Sequence, residues 1–171
     1  MMIKKAGILL IAAAVAVSLA AIGCTQTDMP ENTGQSGAAP DFTLTSLSGQ
    51  EVSLSQFAGK KNVLLVFGAT WCPYCVNEIP ELKGIYENYR DKGIEVLYVD
   101  IQESQEKVSA FARKNQIPYT VLLDTAGEVA AKYNVYGIPH QVVVTKDGNI
   151  AYEGPRPQEG IESLISRTTG N

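Results

Sequence analysis

The residues best suited to chemistry sit together in mid-chain: Cys72 and Cys75, with Pro73 and Tyr74 between them. The apolar run from Asn62 to Phe67 precedes them. A helical pattern of Val76, Ile79, Leu82, Ile85 and Tyr89 follows. A strand leading into a helix sets Cys72 at the helix N-terminus. Unpaired N–H groups and the macrodipole there favour an anion, which lowers a thiol's pKa. A thiolate so placed can attack a disulfide and form a mixed disulfide. Cys75 lies one turn on and can reach back to resolve it. Pro73 has no N–H to leave unpaired and favours a helix start. Cys72 is therefore the expected nucleophile and Cys75 the resolving thiol.

Two plainer readings of the pair are weaker. A C-x-x-C can be half of a zinc site, but such a site needs four ligands, and only His140 and distant carboxylates remain. A purely structural disulfide would close a very short loop and stabilise little. The third cysteine, Cys24, is far from the pair. Three cysteines do not make a stapled scaffold, so a hydrophobic core must hold the domain. The exchange needs no metal and no cofactor.

The pair must be positioned by the rest of the 171 residues. Lys4 and Lys5 followed by the apolar run Ile8–Ile22 have the layout of a secretory signal peptide, too short for a comfortable membrane span. The ending Ala21-Ile-Gly-Cys24 resembles the bacterial lipobox, which implies cleavage after Gly23 and a lipid on Cys24. Residues 1–23 are thus expected to be a lipoprotein signal peptide, which places the domain outside the cytoplasm on a bacterial membrane. Residues 24–39 are rich in Thr, Gln, Asn, Gly, Ser and Pro and read as a flexible tether. Its fifteen residues after Cys24 span roughly 20 Å. The chain carries 14 basic and 18 acidic residues; losing Lys4 and Lys5 leaves 12 − 18 = −6. That balance argues against nucleic acid, and anchoring would rest on lipid chains.

Residues 40–171 form the expected domain. Phe42–Thr45 and Val52–Leu54 alternate about Ser48-Gly49 as a hairpin. Continuous apolar runs at Asn62–Phe67 and Ile94–Val99 fit buried strands. A helix over Ser104–Lys114, capped by Ser104, leads to a strand at Tyr119–Leu123. A short helix at Glu128–Tyr133, a hairpin about Asp147-Gly148 and a last helix over Glu159–Arg167 complete the chain. The order predicts an α/β domain with a mixed central sheet flanked by helices.

Gly68-Ala-Thr-Trp-Cys-Pro-Tyr-Cys75 after a strand resembles the thioredoxin active-site segment. Ala39-Pro-Asp-Phe42, the W-C-x-x-C-x-x-E-x-P-x-L run from Trp71 to Leu82, and Tyr133-x-Val-x-Gly-Ile-Pro139 resemble the TlpA/ResA-like thiol–disulfide oxidoreductases. The resemblance spans Pro40 to about Thr168. It implies a thioredoxin fold with an N-terminal β-hairpin and an inserted helix and strand between about Glu103 and Asp124. It further implies that Pro139 is cis and faces the cysteines, that Ile138 offers backbone hydrogen bonds to substrate, and that Trp71 packs beside the motif and shields it. The thioredoxins' buried Asp is replaced by Val66, and an acid at the place of Glu78 tunes the thiols in this family. As a residue, Glu78 reads equally as an exposed helical glutamate. Pro80 should kink its helix.

The implied activity is dithiol–disulfide exchange. Reduction of exported disulfide proteins is the first expectation, with apocytochrome c among the clients and an integral-membrane thiol donor behind it. A disulfide-forming oxidant is the alternative. A peroxidase is a third, but Leu65 and Ala69 stand where its Pro and Thr should be. Pro-Tyr is also the glutaredoxin dipeptide, yet Lys146-Asp-Gly-Asn149 offers no glutathione segment. A monomer is expected.

Overall fold

The computed structural model describes residues 37–169. The expected signal peptide, Cys24 and most of the tether lie outside the described residues. Residues 37–39, the end of the expected tether, are pinned to the sheet: Ile150 N–H donates to the Gly37 carbonyl and Ala39 N–H to that of Gly148.

Seven strands form one mixed sheet in the order β2-β1-β5-β4-β3-β6-β7. The N-terminal hairpin is β1 (Thr43–Ser46) and β2 (Glu51–Ser53). The parallel centre is β3 (Asn62–Gly68), β4 (Ile94–Ile101) and β5 (Thr120–Asp124). Strand β6 (His140–Val144) joins β3 antiparallel, and β7 (Ile150–Gly154) closes that edge. Helix α1 (Pro73–Tyr89) crosses from β3 to β4, and α2 (Gln105–Lys114) from β4 to β5. Helix α3 (Glu128–Lys132) precedes β6, and α4 (Ile161–Thr169) ends the described chain. The inserted helix and strand are α2 and β5, with the Ser104 hydroxyl capping α2 as expected. Helix α1 continues through Pro80.

The period of two in each strand divides the core into two layers. Val63, Leu65 and Phe67 of β3 pack with Leu97, Val99, Val129 and Tyr133 on one face. Leu64 and Val66 pack with Val96, Tyr98 and the α1 and α4 residues Leu82, Ile85, Leu164 and Ile165 on the other. With both faces covered, β3 and β4 are buried almost throughout, which explains their unbroken apolar runs.

Candidate active site

Strand β3 ends at Gly68, and the chain runs on from there to α1. Gly68 pairs with Asp100 of β4, and a Cβ there would run into the Tyr98 hydroxyl. The next residues are held from β4's far end: Glu103 accepts the Thr70 N–H at 2.5 Å and the Thr70 hydroxyl at 2.9 Å. Lys107, one turn on, pairs with Glu103. Burial pushes Glu103 upward, but Lys107 and Thr70 outweigh it and hold the carboxyl below its ordinary value. Asp100 lies beside it, buried, with no donor for either oxygen. Burial and the Glu103 charge push Asp100 up to about 8, so near neutral pH it is largely protonated.

The anchored turn delivers Cys72 to the N-cap of α1, with Pro73 as the first helical residue. The Cys75 N–H points at Cys72 Sγ, 3.2 Å away, and Cys72 and Cys75 are joined as a disulfide. Both are nearly inaccessible, at 3% and 2%. Across from them the Ile138–Pro139 peptide is cis, and the Ile138 carbonyl oxygen lies 3.8 Å from Cys72 Sγ. The sheet produces this meeting: β6 pairs with β3, so the residues before β6 fall beside those after β3.

Glu78, one turn beyond Cys75, is buried at 4% and is no exposed helical glutamate. Gln141 Nε2 donates to its Oε2 at 3.1 Å. Burial raises its pKa, the Gln141 bond and the Arg156 charge pull it down, Glu81 pushes it back, and it rests at about 7. Arg156 and Gln141 escaped the sequence reading. Gln141 left a faint signal, as one polar residue heading the run Val142–Val144. Arg156 left none beyond its two flanking prolines. His140 is half-buried, lowered by burial against the pull of Glu153, and so neutral near pH 7.

Trp71 departs from expectation. Its side chain is 66% exposed and lines a groove towards α3. Tyr74, 74% exposed, lines a second cavity of about 760 Å³ that also reaches Glu78, Pro139 and Arg156. Tyr136, almost fully exposed, stands between the two on the loop leading to Pro139. The apolar surface around the disulfide is therefore open to a partner chain.

A thioredoxin fold with a C-x-x-C disulfide at a helix N-terminus, opposite a cis-proline loop, defines a thiol–disulfide oxidoreductase. The chain belongs to the AhpC/TSA family, which matches residues 36–153. It is 35% identical over 152 residues to the thiol-disulfide oxidoreductase ResA of Geobacillus kaustophilus, covering 85% of this chain and 87% of that protein. The thioredoxin domain of a thiol-disulfide oxidoreductase from Bacteroides vulgatus superposes with a TM-score of 0.71 at 25% identity, over 80% of this chain and 99% of that one. A secreted disulfide oxidoreductase of Mycobacterium tuberculosis, homologous to E. coli DsbE, gives 0.64 at 26% identity, over 74% and 93%.

Proposed function

We propose that this chain is a membrane-tethered, extracytoplasmic reductant of disulfides in exported proteins. The observation that carries the reading is Cys72 Sγ at the α1 N-cap, facing the Cys75 N–H and the Ile138 carbonyl. In the reduced chain that position favours the Cys72 thiolate. The thiolate attacks one client sulfur; the Cys72–client bond forms, the client disulfide breaks, and the departing client thiolate takes a proton from water. Cys75 passes its proton to the Glu78 carboxylate and attacks the Cys72 sulfur. The Cys72–Cys75 bond forms, the mixed disulfide breaks, and the client leaves with two more electrons. Glu78, at about 7, suits such a transfer near neutral pH. Ile138 and Pro139 bind an extended client segment by backbone and apolar contact, beside Trp71.

An integral-membrane thiol donor returns the electrons. A lipid on Cys24 and the tether from residue 24 hold the domain near that donor. The Mycobacterium neighbour is a secreted disulfide oxidoreductase, which supports a place outside the cytoplasm, and the Geobacillus relative is named for the same thiol–disulfide exchange. Apocytochrome c is the client that the ResA resemblance suggests. The chain acts as a monomer, without nucleic acid and without a cofactor.

The test is the reduction potential of the Cys72–Cys75 pair together with trapping. A potential near thioredoxin's, about −270 mV, would favour the reductant, and one near DsbA's, about −120 mV, would make the chain an oxidant. Cys75→Ser should accumulate a client disulfide on Cys72. Trapping by Cys72→Ser alone would reverse the two roles.

A further inference from the structure

We propose that Arg156, in the loop after β7, is a positioning residue for the exchange: its guanidinium sets the proton affinity of Glu78. The inference rests on the reading of Glu78 as the group that takes the Cys75 proton.

Glu78 has one satisfied oxygen and one unsatisfied. Gln141 serves Oε2, while Oε1 is buried with no hydrogen-bond donor. Arg156 Nε is 3.8 Å from Oε1, too far for a hydrogen bond and close enough for a strong charge interaction. The guanidinium is fixed in place by another acid. Arg156 Nε and Nη2 both donate to Glu81 Oε2, at 3.0 and 2.6 Å, and Glu81 Oε1 accepts the Ile161 N–H at 2.9 Å where α4 begins. Pro155 and Pro157 stiffen the loop on either side. Arg156 therefore faces Glu78 in a defined pose and cannot satisfy it outright.

The groups facing Glu78 come from several elements. On its own helix Glu81 opposes ionisation. Tyr98 of β4 and Tyr119, just before β5, are buried and stay neutral far above pH 7. His140 of β6 lines the same cavity and is neutral there. Gln141 of β6 is uncharged. Arg156 is left as the charged cation of that cavity and outweighs Glu81 in its effect on Glu78. Arg156 is itself half-exposed, so its influence falls at the low end of the one to three pKa units usual for a close opposite charge.

The test is a carboxyl carbon-13 titration of Glu78 in the disulfide-bonded protein, its signal assigned by its loss in Glu78→Gln. Arg156→Met should raise the Glu78 midpoint by about one unit, a tenfold change in proton affinity. Arg156→Lys, which keeps the charge, should restore most of that shift. Glu81→Gln should lower the midpoint, because it removes the opposing charge. An unmoved midpoint in Arg156→Met would overturn the inference. So would shifts of the same sign in Arg156→Met and Glu81→Gln, which would mean that the link only braces the fold. The pH profile of mixed-disulfide resolution separates this from the catalytic reading. If the carboxyl midpoint moves and the rate profile stays, Arg156 keeps its assigned effect and Glu78 loses its role in proton transfer.

Discussion

Glu78→Gln should change how stability depends on pH, and its sign should reverse between acid and alkali. Folded Glu78 titrates at about 7, against an ordinary value of 4.5. Between those values the native state holds a proton that the unfolded chain has released. Stability therefore falls as pH rises through this window, by about 1.4 kcal/mol per unit, or about 3 kcal/mol in all. The loss is complete above pH 7 and absent below 4.5. Glutamine keeps the shape and cannot ionise, so it removes the loss. It also leaves an amide N–H₂ near Arg156 with nothing to bond, at a cost of about 1 kcal/mol. The variant should be less stable than the parent by about 1 kcal/mol at pH 4 and more stable by about 2 kcal/mol at pH 9. Urea unfolding of the oxidised protein across that range gives the difference curve, from which other titrating groups largely cancel. A difference that stays flat between pH 4.5 and 7 would refute the reasoning. On the reduced protein the same variant should shift the pH profile of Cys72 reactivity, and an unmoved profile would remove Glu78 from the thiol chemistry.

Asp100→Asn should act in the same direction, because Asp100 ionises at about 8 when folded and at 3.8 ordinarily. At pH 9 the variant should gain on the order of 3 kcal/mol over the parent, less than the full shift because Glu103 and Lys107 adjust with it, and equal urea midpoints at pH 9 would contradict this. Gly68→Ala should cost about 1–3 kcal/mol by driving a methyl into the Tyr98 hydroxyl. Adding Tyr98→Phe should recover only part of that loss in the same unfolding assay, because the ring Cζ would still lie 2.7 Å from the new methyl, and no recovery at all would show that the clash lies elsewhere.

The strands and helices were legible because each carries its own period. The unbroken run of β3 and the Val76–Tyr89 pattern of α1 depend only on which faces are covered, and a neighbour on each side of β3 covers both. The C-x-x-C was legible for a related reason: its geometry is local, set by a strand end and a helix start. Pairings across the sheet were not legible in that way. Nothing in Glu103 announces that it will hold Thr70, thirty-three positions away. The exposure of Trp71 escaped as well, because an aromatic beside a motif reads the same whether it packs down or stands out as a binding surface.

The acid beneath the cysteines shows how a local change forces a remote one. Val66 stands where thioredoxins carry a buried aspartate, and it pairs across the sheet with Gln141. Val66 packs on the α1 side of the sheet, and its partner Gln141 reaches from β6 to bond Glu78 of α1. The acid is thus supplied by the helix and steadied by the neighbouring strand. With Val66 apolar, nothing on β3 solvates the carboxylate, and burial alone would keep it protonated. A group that moves protons near neutral pH needs a counterweight. Gln141 provides a neutral donor, and the further charge has to come from beyond β7, because Glu81 on the same helix has the wrong sign. The edge order β3-β6-β7 brings the loop after β7 within reach, and Arg156 is the cation it presents.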